Sequence, residues 1–400
     1  MSYPAQRFLL FILFLMIVGC ESERNMREVD AVIADAKRLF APDRRTVVCD
    51  VQPRLEGRTL TLIGEMQSED LRGRFVHYVA EKTGLVVVDS LLVLPQPSLK
   101  GKTYGVVSVS VASIRSKPGH SKELATQALL GTPLRVLKRE GGWYYVQTPD
   151  DYLGWIDDGF VLMDQSSSAE WANREKIIIM ANYATTHHLP EMNSDVVGDV
   201  VAGCILALVK NEGKFYQVEY PDKRRAFLLK ETAQPYRAWL ARAQDTPVSI
   251  VTTAKRFFGV PYLWGGTSPK AMDCSGFTKM VFFLNGVLLP RDASQQVDVG
   301  KPVDVQHGFE NLQTGDLLFF GSKATEEKKE RVTHVGIYLG DMKFIHESED
   351  VHINSLNRND PDFSEFRFEM FLHARRIIGA GSESGVRRIV EIPYYRGNEF

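Results

Sequence analysis

Cysteine is scarce in this chain of 400 residues, and the four that occur, Cys20, Cys49, Cys204 and Cys274, stand far apart. None has the CxxC spacing of a zinc cluster or redox motif, and four scattered thiols make no regular disulfide framework. Cys49 and Cys204 lie in apolar, strand-like runs and read as small core residues, with a single Cys49–Cys204 disulfide left open. Neither charge dominates: 48 Lys and Arg stand against 50 Asp and Glu, a net charge of −2. With no long basic run either, no preference for nucleic acid follows. The apolar stretch Phe8–Val18 is too short to span a bilayer comfortably. What remains is the composition of a globular protein, 44% hydrophobic and 10% aromatic. The length calls for two to four domains.

Residues 1–20 read as a targeting signal, with Arg7 as positive flank and Phe8–Val18 as apolar core. Its end, Ile17-Val18-Gly19-Cys20, resembles a bacterial lipobox. That resemblance implies a lipidated Cys20, a lipid anchor in a membrane and a place in the cell envelope, on the periplasmic or the surface face. A plain cleaved signal or an uncleaved anchor is the alternative. Over residues 21–95, Val29, Val32, Ile33, Ala36 and Leu39 form a helical stripe. Strands at 46–51 and 59–64, a helix at 68–82 and a strand at 85–94 follow. The order αββαβ predicts a small α+β domain without a catalytic constellation. Pro95-Gln96-Pro97 is a stiff linker.

Residues 101–164 hold short strands with turns at Pro118-Gly119, Gly131 and Gly141-Gly142, which predicts a small β-barrel. Residues 169–234 repeat the pattern loosely, and Phe215 replaces the tryptophan of the first copy, Trp143. A catalytic α+β domain is expected over 235–380. A tail over 381–400 is expected to hold one strand and then fray.

The chemistry gathers around Met272-Asp273-Cys274-Ser275-Gly276-Phe277. Asp273 is placed to cap a helix carrying Phe277, Met280, Val281 and Leu284. A cysteine in the first turn meets unpaired N–H groups and partial positive charge, which favour thiolate. Thr333 to His346 reads as strand, tight turn, strand. Centred on Gly340, the turn sets His334 directly across from His346. One imidazole is then a base toward Cys274 and the other its orienter. Each of these residues alone is as easily a packing residue; the set in this order is not. His307, His352 and His373 show no partner pattern.

The runs Pro261-Tyr262-Leu263-Trp264-Gly265-Gly266, Asp273-Cys274-Ser275-Gly276, Gly315-Asp316-Leu317 and His334-Val335-Gly336-Ile337-Tyr338 resemble the NlpC-type cysteine peptidases of bacterial cell walls. The pieces Ser113-Ile114-Arg115, Gly141-Gly142-Trp143-Tyr144 and Gly154-Trp155-Ile156 resemble the bacterial SH3-like domains that precede this peptidase in one subgroup. The resemblance implies a papain-like catalytic domain and two SH3-like barrels, the second diverged. It implies a Cys274–His334–His346 triad working without metal or cofactor. It also implies cleavage between D-glutamate and the diamino acid of short peptidoglycan stem peptides. In that subgroup Glu123 and Tyr152 hold the substrate's free L-alanyl amine. Asp273 and Ser275 reach the substrate amine and backbone, unless Asp273 is only a cap. Tyr262 and Trp264 wall the pocket, and Arg291 meets a substrate carboxylate or Asp292. The partner expected is a stem peptide, and the protein a monomer. An amidase or acyltransferase on the same scaffold, or a non-catalytic wall-binding lipoprotein, are the competing readings.

Overall fold

The structure, a computed structural model, describes residues 26–396. The targeting segment and Cys20 lie outside the described residues, as do residues 397–400. Two compact units make up the chain, divided between Ser98 and Leu99.

In the first unit a helix over 26–40 precedes a hairpin of Cys49–Glu56 and Thr59–Met66. The helix Glu69–Thr83 then returns the chain to Val86–Val93, parallel to Thr59–Met66. Ser68 caps that helix at its start, and Gly84, in the left-handed region, ends it. Val29, Ile33, Leu60, Leu62, Phe75 and Val79 form the core. The first strand begins at Cys49 and not near Thr46, because residues 43–47 form a turn closed on the Asp43 carbonyl. It runs through Pro53, which is tolerated because this strand is at the sheet edge.

The second unit opens with two antiparallel sheets of seven strands, over residues 104–163 and 176–235. Numbered within its own module, each sheet runs seventh, first, fourth, fifth, sixth, second, third. A bulge falls at the same place in both, at Val136–Lys138 and at Leu208–Lys210. Among the described residues no ladder joins the third strand to the seventh, so the barrels expected are open sheets. The physical reason is visible in the first module. The free edge Leu124–Leu129 is covered by the catalytic domain, where Thr267 N donates to Gln127 Oε1 (3.0 Å) and Thr267 Oγ1 to the Gln127 carbonyl (2.9 Å). A covered edge needs no ring closure.

The catalytic domain sets the helices Pro247–Lys255 and Cys274–Leu284 on an antiparallel sheet of six strands. Across the sheet lie Lys301–Val303, Phe371–Arg376, Leu317–Ser322, Arg331–Gly340, Lys343–Glu347 and Val351–Ser355. Alternation along the strands divides the faces. Leu317, Phe319, Val335, Ile337 and Ile345 pack with Phe277, Met280 and Val281 of the second helix. Leu318, Phe320, Tyr338 and Phe344 form a separate core on the far side. The tail does not fray before Arg396. Val386, Ile389, Ile392 and Tyr395, three residues apart, are buried in the main core, and Arg387–Arg388 pairs with Val287–Leu288.

Candidate active site

Cys274 is the first residue of its helix, whose N-cap is Asp273. The Asp273 carboxylate accepts from Gly276 N at 2.8 Å, which satisfies one of the orphan N–H groups of the first turn. The sulfur is nearly buried, with Cys274 only 7% exposed. Burial pushes the thiol up to about 12; the Asp273 carboxylate raises it further, and the backbone N–H groups of Val335 and Ser275 pull it back in part. The expectation of a ready thiolate is therefore corrected. At rest the sulfur is a thiol, because desolvation outweighs the favourable helix terminus. Val335 follows His334 directly, so the histidine strand passes against the helix start.

The two histidines meet, but not by the expected register. The ladder pairs Gly336 with His346 and Phe320 with His334, with an irregularity between Tyr338 and Gly340. His334 is thus diagonal to His346, two residues along the strand. Gly336 makes room for this. A Cβ at that position would stand 3.0 Å from the Cβ of His346. The rings join through His334 Nε2 and His346 Nδ1 at 2.8 Å. His346 Nε2 contacts Asn354 Oδ1 at 2.9 Å. Burial holds both imidazoles neutral: His334 titrates well below its ordinary range and His346 at about 3, with Arg367 and His352 adding like charge. His352, expected to have no partner, lies against the His346 ring at 4.5 Å between centroids and is bonded to Asp350.

Arg291, expected to meet a substrate carboxylate or Asp292, is 1% exposed and committed elsewhere. Its NH2 and NH1 groups donate to Asp273 Oδ2 (2.6 Å) and Oδ1 (3.1 Å), and NH1 donates also to Ser275 Oγ (3.0 Å). Nε donates to Thr126 Oγ1 of the first SH3-like module at 3.1 Å, whereas Asp292 Oδ1 stands 4.0 Å from NH1. Asp273 Oδ2 also accepts from Gly265 N at 3.0 Å. Asp273 is thus cap and salt-bridge partner at once, and Ser275 is drawn into the same network. A guanidinium this deep needs a bidentate carboxylate, and the nearest one is the cap.

Tyr152 is buried, and its hydroxyl donates to Asp292 Oδ2 at 3.0 Å. Glu123 is exposed and accepts from Trp264 Nε1 at 2.9 Å. Trp264 itself is 64% exposed, so its ring stands at a rim and is not a core residue. Gly265 explains how the two segments come so close. Its φ is +79°, and a Cβ there would meet the Leu124 carbonyl oxygen at 2.2 Å. Tyr262 is half-buried and lies within electrostatic reach of Cys274, Asp273 and Glu347. Burial chiefly, with the Asp273 carboxylate adding like charge, keeps its hydroxyl protonated.

Reading along the chain does not single out Asn354, Thr126 or Glu347. Glu347 is fully buried and, among the described residues, neither carboxylate oxygen has a hydrogen-bond partner. The alternation after His346 signals that Glu347 turns to the helix side. Asn354 has no comparable signal.

Residues 259–366 match the NlpC/P60 family, and residues 114–159 match the bacterial dipeptidyl-peptidase Sh3 domain. A gamma-D-glutamyl-L-lysine dipeptidyl-peptidase of Bacillus cereus is 32% identical over 235 residues, which is 57% of this chain and 68% of the relative. The enzyme of that name from Bacillus subtilis is 30% identical, over 56% of this chain and 72% of its own. The crystal structure of an NlpC/P60 family protein from Bacillus cereus superposes with a TM-score of 0.58 at 26% identity, covering 68% of this chain and 99% of its own. This chain belongs to the NlpC/P60 family of cell-wall cysteine peptidases, with an SH3-like domain ahead of the catalytic domain.

Proposed function

We propose that this protein hydrolyses the amide between the γ-carboxyl of D-glutamate and the L-diamino acid of peptidoglycan stem peptides, releasing L-alanyl-D-glutamate. The observation that carries the reading is the meeting of three elements. A cysteine opens a capped helix, the Val335 amide lies at its sulfur, and the preceding His334 is tied by Nε2 to His346. The names of the Bacillus relatives state the γ-D-glutamyl linkage, which supports the choice of bond.

In the proposed reaction His334 takes the thiol proton of Cys274 as the sulfur attacks the γ-carbonyl carbon. The Cys274 backbone N–H and the Tyr262 hydroxyl stabilise the oxyanion. The C–N bond breaks, and the His334 imidazolium returns its proton to the leaving amine, which leaves a thioester. Water then adds, giving its proton to His334. The C–S bond breaks, the proton goes back to the sulfur, and the free γ-carboxylic acid departs, giving its proton to water. His346 positions His334. Glu123 receives the substrate's α-ammonium, exchanging its bond from Trp264 for a charge-assisted one. Asp273, Arg291 and Ser275 frame the site.

The test is product analysis by mass on free L-Ala-γ-D-Glu-L-Lys and on its diaminopimelate counterpart. L-Ala-D-Glu should accumulate, and Cys274→Ala should lower turnover by ~10^4-fold or more. An amidase or acyltransferase would give no such dipeptide. Substantial turnover by Cys274→Ala would reject the nucleophile.

A further inference from the structure

We propose that Asn354 is a positioning residue that sets the tautomers of both active-site imidazoles, so that His334 keeps its lone pair on Nδ1, the ring nitrogen not bonded to His346. The inference rests on the reaction proposed above for its consequence, though not for its geometry.

The side-chain amide of Asn354 has one group that accepts and one that donates. Which end faces the site is settled by its second contact. Nδ2 lies 3.4 Å from the Asp362 carbonyl oxygen, a group that only accepts. Oδ1 therefore faces His346 Nε2, at 2.9 Å. A carbonyl oxygen only accepts, so His346 must carry its proton on Nε2. Burial keeps that ring neutral, and Nδ1 is left as a lone pair. The next contact, 2.8 Å to His334 Nε2, then requires His334 to be the donor. His334 is also neutral, so its Nδ1 is unprotonated and is the nitrogen left to receive the thiol proton.

The chain has a direction only because Asn354 anchors its far end. Without that acceptor, the opposite arrangement becomes comparable. His346 Nδ1–H would donate to His334 Nε2, and the His334 proton would sit on Nδ1, where it blocks transfer from sulfur. With Asn354 in place, proton arrival at His334 Nδ1 gives an imidazolium whose Nε2–H still donates to His346, and no second proton need move.

Asn354 is itself held. The Asp362 carbonyl also accepts from Ser355 N at 2.8 Å, and the Asp362 carboxylate accepts from Lys343 Nζ at 3.1 Å, a residue on the His346 strand. The other charged or titratable groups beside the imidazoles are Arg367 and His352, the latter bonded to Asp350.

The experiment compares the full chain with Asn354→Leu, which cannot accept, and Asn354→Asp, which can. Two readouts are taken: histidine tautomers by long-range 1H–15N correlation on 15N-histidine protein, and kcat and KM against pH on the free tripeptide. The unmodified protein should show Nε2–H tautomers at both His334 and His346. Asn354→Leu should show mixed tautomers, with kcat down ~10–100-fold and KM within ~2-fold. Asn354→Asp should keep the tautomers and most of kcat, with the acid limb moved to higher pH because a carboxylate stabilises imidazolium. An Nδ1–H tautomer at His334 of the unmodified protein would overturn the inference. So would Asn354→Leu with unchanged tautomers, whatever its activity. If no stem peptide is cleaved at all, the proposed reaction falls while the tautomer pattern still decides the role of Asn354.

Discussion

Glu347 is the residue on which physical chemistry makes the sharpest demand. Its carboxyl is buried without a hydrogen-bond partner among the described residues, with Asp273 and Asp350 in electrostatic reach. Burial first, and those two like charges second, push it up to about 8. In the unfolded chain it titrates in the ordinary carboxylate range near 4.5. As pH rises between these values the unfolded state gives up the proton while the folded state keeps it, so stability falls. Glu347→Gln removes that titration. The variant should melt close to the unmodified protein at pH 5 and clearly above it at pH 9. Equal melting temperatures at both pH values would mean that the carboxyl is paired or solvated. Cys274, His334 and His346 stand out in the sequence and Glu347 does not, because a carboxylate beside a histidine in a chain looks like any solvated charge. Only its burial separates it from Glu349, two residues on.

At the scale of elements, the helix Cys274–Leu284 carries the site and is pinned at both ends of its first two turns. Asp273 caps it, and Lys279 reaches Asp150 of the first SH3-like module at 2.5 Å. The side chains of that pair are 13% and 3% exposed. Burial alone would raise the Asp150 carboxyl; Lys279 first, and the hydroxyl of Thr148 donating at 2.7 Å, together offset this and hold it below its usual range. Removing only the cation leaves a buried carboxylate uncompensated, which costs ~3–5 kcal/mol. Lys279→Met should therefore lower stability by about that amount in urea unfolding, and a loss within ~0.5 kcal/mol would show that water already shields Asp150. The helix, its cap and its apolar face are legible from residues 273–284 because they are local. The His334–His346 register is not: a turn centred on Gly340 predicts direct opposition, and the irregularity beside Gly340 shifts the pairing to Gly336. A shift of this kind depends on how the turn packs, which residue types do not encode.

Across the whole second unit, the first SH3-like module meets the catalytic domain beside the candidate site. Glu123 meets Trp264, Thr126 meets Arg291, Gln127 meets Thr267 and Tyr152 meets Asp292. In the proposed reaction the rim carboxylate of Glu123 would select substrates with a free amino end. Glu123→Gln should lower kcat/KM on the free tripeptide by ~10–100-fold, the worth of one charge-assisted hydrogen bond, and should narrow the preference over the N-acetylated peptide. Equal rates of the unmodified protein on free and acetylated peptides would remove this role. The pairing of modules is legible as motif order, since each carries its own turn and aromatic signature. The contact is not, because Gly265 admits the Leu124 carbonyl only once both modules are folded.

By itself the sequence determined which groups are available: a thiol at a capped helix start, two histidines on one hairpin and an SH3-like module upstream. These are local properties, set by capping, periodicity and turn chemistry within a dozen residues. Only the tertiary structure decided their states. It gave Arg291 to Asp273, closed the sheet edge with Thr267 in place of a barrel seam, set Asn354 behind His346 and buried Glu347. Desolvation and hydrogen-bond geometry depend on which distant segments arrive at the same place, and no stretch of chain carries that information alone.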